Sequence, residues 1–259
     1  MKLQAATAGR GPDLVLVHGW GLHSGIWATL LPELRRRFRV TCIDLPGHGA
    51  SEAPPGRFGL GTAADVVASA APRGAAWLGW SLGGQVALAA ALAGKEIRRL
   101  VLVATTPRFV AGPAWPCGMA PATLEEFAAS LAADHRKTAR DFLTLQVRGD
   151  RRATALLGAL RRIVEQGGEP SPAALASGLA ILAGTDLRDR LADVTQHALV
   201  IAGERDRLVP AEAGRRLAEG LTNGRFLAVA GAAHVPFLTH PDEFLQAVTG
   251  FLLDEAAAA

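Results

Sequence analysis

Several residue types that often carry function are scarce or missing in this chain of 259 residues. Tyrosine is absent, and cysteine and methionine occur twice each. Cys42 and Cys117 do not form a spaced metal motif, and Cys42 lies in an apolar run, as is typical of a core residue. No apolar run approaches the length of a membrane span and no apolar signal segment opens the chain, so we expect a cytoplasmic protein without membrane contact.

The chain also lacks a large excess of charge of either sign. The 27 basic and 24 acidic residues leave a net charge of +3, which is too small to indicate nucleic-acid binding. No Walker A run is present, and no predicted strand is followed by G-x-G-x-x-G, so nothing in the sequence supports nucleotide binding.

What the chain does have is an alternation of predicted strands and helices. Apolar runs predict buried strands at residues 14–17, 39–45, 75–80, 99–104, 198–202 and 226–229. Helical spacing of apolar residues predicts helices at residues 24–37, 60–71, 81–93, 211–221 and 242–253. This order predicts an α/β fold, in which a mostly parallel central sheet carries helices on both faces.

One long segment interrupts the alternation. Between residues 109 and 185 the pattern predicts no strand and four short helices, at residues 124–133, 137–147, 153–165 and 172–183. We therefore expect a sheet domain in two parts, residues 1–108 and 186–259, with an all-helical lid of residues 109–185 inserted between them.

The segment Gly79-Trp80-Ser81-Leu82-Gly83 fits the G-x-S-x-G pattern, which presents a serine on a sharp turn between a strand and a helix. Glycine two residues before and after the serine removes the Cβ atoms that would clash in such a turn. The pattern makes Ser81 the candidate nucleophile. Taken alone, it also fits a glycine-rich turn with an incidental serine.

A serine nucleophile needs a base, and the base needs an acid to orient it. In this architecture the acid and then a histidine follow the serine, each after a later strand. Asp206 follows the predicted strand at 198–202, with Glu204 as its nearest rival, and His234 follows the last predicted strand. Ser81, Asp206 and His234 are therefore the predicted catalytic triad.

An ester hydrolase also needs N–H groups that stabilise the oxyanion. The Leu82 N–H follows the nucleophile directly, and the Trp20 N–H lies in the loop after the first predicted strand, so these two are the candidates. His18 and His48 could form a metal pair, but only Asp44 lies near them at ligand spacing. We predict no metal and no cofactor.

Together these motifs resemble the α/β-hydrolase superfamily. A closer resemblance, which runs nearly end to end, is to the family of pimeloyl-acyl-carrier-protein methyl ester esterases of biotin synthesis. The segments that carry it are His18-Gly19-Trp20-Gly21-Leu22, residues 77–84, Phe142-Leu143-Thr144-Leu145-Gln146, residues 178–182, residues 185–188 and Ala232-Ala233-His234-Val235-Pro236-Phe237.

The resemblance implies an α/β-hydrolase fold and a serine carboxylesterase that removes the methyl group of pimeloyl-acyl-carrier protein and leaves the thioester intact. It implies that substrate contacts Trp20, Ser81, Leu82, Phe142, Leu143, Thr144, Leu145, Gln146 and His234. We expect a monomer. Two alternatives on the same triad are a general short-chain carboxylesterase and a carbon–carbon bond hydrolase, and a non-enzymatic alternative is a small-ligand receptor.

A basic segment in the predicted lid indicates a partner. Residues 136–162 hold eight basic and two acidic residues, a net charge of +6. Such a patch would attract an acidic protein, and acyl-carrier proteins are acidic. A solvated, arginine-rich face is the alternative. The candidate contacts are Lys137, Arg140, Arg148, Arg151 and Arg152, although Asp141, Thr154 and Gly158 stand where the resemblance predicts arginines.

Overall fold

A seven-stranded sheet forms the centre of the protein. The computed structural model describes residues 1–53 and 55–254. The strands are Ala5–Gly9 (β1), Asp13–Val17 (β2), Arg39–Ile43 (β3), Ala75–Trp80 (β4), Ile97–Val103 (β5), His197–Gly203 (β6) and Gly224–Val229 (β7). Their order is β1-β3-β2-β4-β5-β6-β7, in which β1 is antiparallel to β3 and all other pairs are parallel. The predicted α/β fold class is confirmed.

Ten α-helices and two 3₁₀ helices surround the sheet in the described residues. The α-helices are Leu31–Arg37 (α1), Leu60–Ala70 (α2), Leu82–Leu92 (α3), Pro121–Ala133 (α4), His135–Val147 (α5), Ala153–Gly167 (α6), Pro172–Gly184 (α7), Ala211–Gly220 (α8), Pro236–Thr239 (α9) and Pro241–Leu253 (α10), and the 3₁₀ helices are Ser24–Trp27 and Arg188–Asp193. None of the helices in residues 1–53 and 55–254 is long and apolar enough to cross a membrane.

Strand β2 shows how the sheet separates two hydrophobic cores. Val15 and Val17 pack in a cluster with residues of α2, α3 and α8, whereas Leu14 and Leu16 pack in a second cluster with residues of α1 and α10. Successive side chains of a strand point to opposite faces, so an uninterrupted apolar run lets this strand be buried on both sides.

Helices α4 to α7 form the helical insert between β5 and β6, and single hydrogen bonds attach it to the sheet domain. The Trp20 indole N–H donates to the Leu175 carbonyl of α7 over 2.9 Å. His23 accepts from the Gly25 N–H at Nδ1, and its Nε2–H donates to the Ile163 carbonyl of α6 over 2.6 Å. The insert therefore rests directly on the loops that follow β2.

Two features of the N-terminal region differ from the sequence prediction. The predicted helix at residues 24–37 is divided into a 3₁₀ helix and α1, because Pro32 lacks an N–H and is confined to the first turn of α1. Strand β1 was not predicted. This strand, Ala5–Gly9, is only five residues long and is mostly exposed. Its backbone pairing with β3 defines it, and no apolar pattern marks it in the sequence.

Candidate active site

Ser81 lies at the junction of β4 and α3 in a strained backbone conformation. Its φ is 54° and its ψ is −117°, a region that residues other than glycine rarely occupy. The Ser81 N–H donates to the Val103 carbonyl over 2.9 Å, and the Thr105 hydroxyl donates to the Ser81 carbonyl over 2.7 Å. The end of β5 therefore holds the serine backbone in place.

The glycines of the motif are required by close backbone contacts. A Cβ atom at Gly79 would overlap the Gly83 carbonyl, and a Cβ atom at Gly83 would overlap the Val17 carbonyl. Gly79 must lack a side chain for the turn to close on itself, and Gly83 must lack one for the turn to pack against β2. This is the reason, predicted from the spacing, that glycine flanks Ser81 on both sides.

The structure brings Asp206 and His234 into direct contact. The His234 Nδ1 lies 2.7 Å from the Asp206 Oδ2, and both side chains are almost fully buried. The other carboxylate oxygen, Oδ1, accepts from the Leu208 and Val209 N–H groups over 2.8 and 2.9 Å. With its proton at Nδ1, the imidazole leaves Nε2 free to accept another.

The Nε2 atom of His234 is not engaged by any hydrogen bond from residues 1–53 and 55–254. Nε2 is buried and has no hydrogen-bond partner among the described residues, so the Ser81 hydroxyl does not donate to it in this structure. Catalytic hydrogen bonds of this kind often form only with substrate bound.

Trp80 positions His234, a role that sequence reasoning missed. Its indole N–H donates to the His234 carbonyl over 2.9 Å, and the centroids of the two rings are 5.5 Å apart. The available signal was its place directly before Ser81 in a buried strand. Trp80 is the last residue of β4 and directly precedes Ser81. Its hydrogen bond therefore links the candidate base, His234, to the segment that carries the candidate nucleophile.

The two candidate oxyanion donors belong to segments that lie next to Ser81. Leu82 is the first residue of α3, and the N–H groups of a first helical turn have no acceptor within the helix. The loop that contains Trp20 passes beside the serine, since a Cβ atom built on Gly19 would lie 3.2 Å from the Ser81 Cβ.

An aromatic cluster lies between Trp20 and the helical insert. The Trp20 ring centroid is 4.8 Å from that of Phe142 and 5.6 Å from that of Phe127. These three rings and Leu145 help to line an apolar cavity of about 20 Å³. The cavity places part of the predicted segment 142–146 next to Trp20.

The rest of that segment faces elsewhere. Leu143 packs in the second core cluster and lines a different small cavity beside Gly21 and Val164, and Thr144 is exposed. Gln146 is fully buried, and both polar atoms of its side chain lack a hydrogen-bond partner among the described residues. Its backbone carbonyl accepts from the His234 N–H over 3.3 Å.

Both ring nitrogens of His18 and of His48 form hydrogen bonds with backbone groups of nearby loops. Neither ring therefore has a nitrogen free to bind a metal ion. In each ring Nδ1–H donates to a backbone carbonyl, of Gly19 and Pro46 respectively. In each ring Nε2 accepts a backbone N–H, from Leu45 over 2.9 Å and from Gly21 over 3.4 Å. Burial, followed by the neighbouring His48, lowers the pKa of His18 to about 3, and burial lowers the pKa of His48 to about 4.

The basic patch on α5 and the loop after it is partly neutralised. Lys137 pairs with Asp141 over 2.6 Å. The Arg152 guanidinium donates to the Thr239 carbonyl over 2.9 Å and so attaches the insert to α9. Arg148 and Arg151 are exposed and have no ion-pair partner in residues 1–53 and 55–254, which leaves their charges available to a partner.

The fold and this arrangement of serine, histidine and aspartate define a class. A family model described as the alpha/beta hydrolase family matches residues 14–247, and the chain belongs to that family.

Individual proteins similar to this chain give a more specific comparison than the family model does. A protein from Methylococcus capsulatus, 44% identical over 97% of this chain and 99% of its own length, is named pimeloyl-[acyl-carrier protein] methyl ester esterase. A protein of the same name from Nitrosomonas europaea is 42% identical over 94% of this chain and 97% of its own. A solved hydrolase from Pseudomonas aeruginosa is 31% identical, with a TM-score of 0.79 over 97% of this chain and 94% of its own. The resemblance inferred from the sequence motifs is confirmed.

Proposed function

We propose that this chain is a serine carboxylesterase that hydrolyses the methyl ester of pimeloyl-acyl-carrier protein in biotin synthesis. The observation that carries the proposal is the buried His234–Asp206 pair at the same edge of the sheet as a strained serine, in a chain 42–44% identical to proteins named for this reaction. The geometry of the site supports ester hydrolysis, and the names of the relatives indicate the substrate.

The first half of the reaction forms an acyl-enzyme. The Ser81 hydroxyl attacks the methyl ester carbonyl, and His234 Nε2 accepts its proton. Asp206 stabilises the imidazolium through Nδ1–H, and the Leu82 and Trp20 N–H groups stabilise the oxyanion. When the tetrahedral intermediate collapses, the imidazolium returns the proton to the leaving methoxide, which departs as methanol.

The second half releases the acid. His234 Nε2 accepts a proton from water, the resulting nucleophile attacks the acyl carbonyl, and the imidazolium then protonates the Ser81 oxygen. The thioester lies at the other end of the pimeloyl chain. While the methyl ester carbonyl faces the two N–H donors, the thioester carbonyl is out of their reach and stays intact.

The carrier protein is the proposed partner. Arg148 and Arg151 are the favoured contacts, because they are exposed and their charges are not paired within the described residues. Arg152 contributes to structure through Thr239, and Lys137 is opposed by Asp141. The cytoplasmic location and monomeric state remain predictions from the sequence.

We expect charge reversal at Arg148 and Arg151 to separate docking from chemistry. The double variant Arg148→Glu/Arg151→Glu should lower kcat/KM for the carrier-linked methyl ester by about tenfold, because each exposed charge contributes a fraction of a kcal/mol to attraction of an acidic partner. Hydrolysis of a free methyl ester should not change. Arg10→Glu/Arg98→Glu serves as the matched control, because both arginines are exposed and have no ion-pair partner in residues 1–53 and 55–254. They lie just before β2 and at the start of β5, at the edge of the sheet opposite the active site. Equal loss on both substrates would assign the two arginines a structural role.

Two assays separate the proposed function from its alternatives. Hydrolysis of p-nitrophenyl acetate by the native protein, abolished in Ser81→Ala, would support the esterase, and absence of hydrolysis would favour the small-ligand receptor. Rescue of a biotin auxotroph that lacks its own methyl ester esterase would support the biotin assignment. Failure to rescue, with p-nitrophenyl acetate still hydrolysed, would favour a general short-chain esterase or a carbon–carbon bond hydrolase.

A further inference from the structure

The helical insert contains two cavities that share part of their lining. The inner cavity, about 20 Å³, is the one bordered by Trp20, Phe127 and Phe142. The outer cavity, about 540 Å³, lies between α4 and α7. Leu124 of α4 and Leu179 of α7 line both cavities, so these two side chains form the partition between them.

The inner cavity is too small for the substrate that the active site would process. A volume of about 20 Å³ holds roughly one water-sized group. A methyl ester with several carbons beyond its carbonyl needs more room than this. The two cavities are separate in this structure, and Leu124 and Leu179 between them are buried.

We propose that the outer cavity receives the distal part of an extended acyl ester, and that Leu124 and Leu179 are the gate through which the chain reaches Trp20 and Ser81. The proposal rests on the serine esterase function proposed above and adds the route of the substrate to it.

The lining of the outer cavity suits an uncharged chain. Most of its wall is made of alanine, leucine and proline side chains from α4 and α7. Three ionisable residues also line it, Arg57, Glu125 and His135, and the first two carry opposite charges. A cavity with this lining favours methylene and amide groups over a charged group.

In the proposed route the gate opens by movement of side chains, because contacts with Trp20 hold α7 in place. A Cβ atom on Gly178 would lie 2.5 Å from Trp20 Cδ1, and the Leu175 carbonyl accepts the Trp20 indole N–H, so this part of α7 is held against the active site. Leu179 is the residue after Gly178. Rotation of the Leu179 and Leu124 side chains is therefore the smallest movement that connects the two cavities.

Filling the outer cavity tests the route without disturbing the core. Ala128 and Ala180 are exposed and line the outer cavity, whereas the neighbouring Ala129 is exposed and does not line it. We expect Ala128→Trp and Ala180→Trp to lower kcat/KM for methyl decanoate by about tenfold or more and to leave kcat/KM for methyl butanoate within about twofold. Ala129→Trp should behave as the native protein on both esters.

Widening the gate should act in the opposite direction. Leu179→Ala removes part of the partition, and we expect it to raise the ratio of kcat/KM for methyl decanoate to that for methyl butanoate by about threefold or more. Thermal unfolding followed by circular dichroism verifies that each variant is folded.

Several outcomes would overturn the proposal. Equal loss on both esters in Ala128→Trp and Ala180→Trp, or decanoate hydrolysis equal to that of Ala129→Trp, would place the route elsewhere. A native protein that hydrolyses neither ester would contradict the esterase function itself. The two failures are therefore distinguishable, because a wrong route leaves native hydrolysis intact.

Discussion

Ser81 and Gln146 each have a local environment that is unfavourable to stability. Ser81 holds a positive φ, and Gln146 buries an amide whose nitrogen and oxygen have no partner among the described residues. Unfavourable conformations and unpaired buried polar groups tend to be retained at functional sites. The Gln146 backbone carbonyl accepts from the His234 N–H, and Ser81 directly follows Trp80, which donates to the His234 carbonyl.

We predict that Gln146→Leu increases stability and decreases activity. An unpaired buried amide costs about 1–3 kcal/mol, and leucine of similar size removes that cost. We expect the amide to bind substrate or the attacking water, so kcat/KM for a methyl ester should fall by about tenfold or more while the melting temperature stays equal or rises. Enzyme kinetics and thermal unfolding measure the two effects.

Gln196 provides the control for this substitution. It is half-buried next to β6, and its side-chain oxygen also lacks a partner among the described residues. Gln196→Leu should raise stability by a smaller amount, because only one of its two side-chain polar atoms is buried and unpaired, and should not affect kcat/KM. Native activity in Gln146→Leu would show that the amide has no part in the reaction.

At the scale of elements, the contact between α7 and Trp20 holds the helical insert against the loop that carries a candidate oxyanion donor. Gly178 allows this contact, since a Cβ atom there would lie 2.5 Å from Trp20 Cδ1 and 3.2 Å from Leu82 Cδ2. Trp20 and Leu82 are the two residues proposed to stabilise the oxyanion. The position of one helix in the insert is therefore coupled to the geometry of the catalytic loop.

We predict that Gly178→Ala reduces kcat by about tenfold, because the added methyl group displaces Trp20 or α7. Gly184→Ala, at the end of the same helix, is the matched control, since a Cβ atom there meets nothing within 4 Å. That control should retain native kcat. Steady-state kinetics on p-nitrophenyl acetate gives both values, and native kcat in Gly178→Ala would mean that the pocket tolerates the shift.

Elements with a strong local signal could be predicted from the sequence, and elements set by tertiary contacts could not. Apolar runs predicted the strands β2 to β7, and helical spacing predicted α4 to α7. Strand β1 escaped because its side chains are exposed and only its pairing with β3 defines it. The separation of Leu143 and Thr144 from the cavity beside Trp20 depends on how α5 rotates against its neighbours, which the sequence of α5 alone does not specify.

At the scale of the whole molecule, two buried histidines make stability dependent on pH. His18 and His48 have pKa values lowered from 6.5 to about 3 and about 4, with burial as the largest cause. The unfolded chain therefore binds protons at these sites between about pH 6.5 and pH 4, where the folded chain does not. Their contribution is complete above pH 6.5 and is lost as the pH falls below it.

We predict that the free energy of unfolding decreases by about 2 kcal/mol per histidine between pH 7 and pH 5. Urea denaturation at the two pH values measures the difference. The matched control, His135→Gln on the half-exposed N-terminus of α5, should keep the full pH dependence. A midpoint unchanged between pH 7 and pH 5 would contradict the neutral, loop-fastening role of these rings.

The candidate site could be predicted in part because parallel strands end at the same edge of a sheet. The elbow after β4 and the loops after β6 and β7 place Ser81, Asp206 and His234 at that edge. The hydrogen bond from the Trp80 indole N–H to the His234 carbonyl joins residues that are 154 positions apart in the sequence. No local sequence pattern predicts such a contact.

The most direct test of the central claim is the intact mass of pimeloyl-acyl-carrier protein methyl ester after incubation with the protein. With the native protein we predict conversion of the methyl ester to the free acid while the acyl chain stays attached to the carrier through its thioester, and with Ser81→Ala we predict no conversion. An unchanged methyl ester with the native protein, release of the acyl chain from the carrier, or conversion by Ser81→Ala at the native rate would contradict the account.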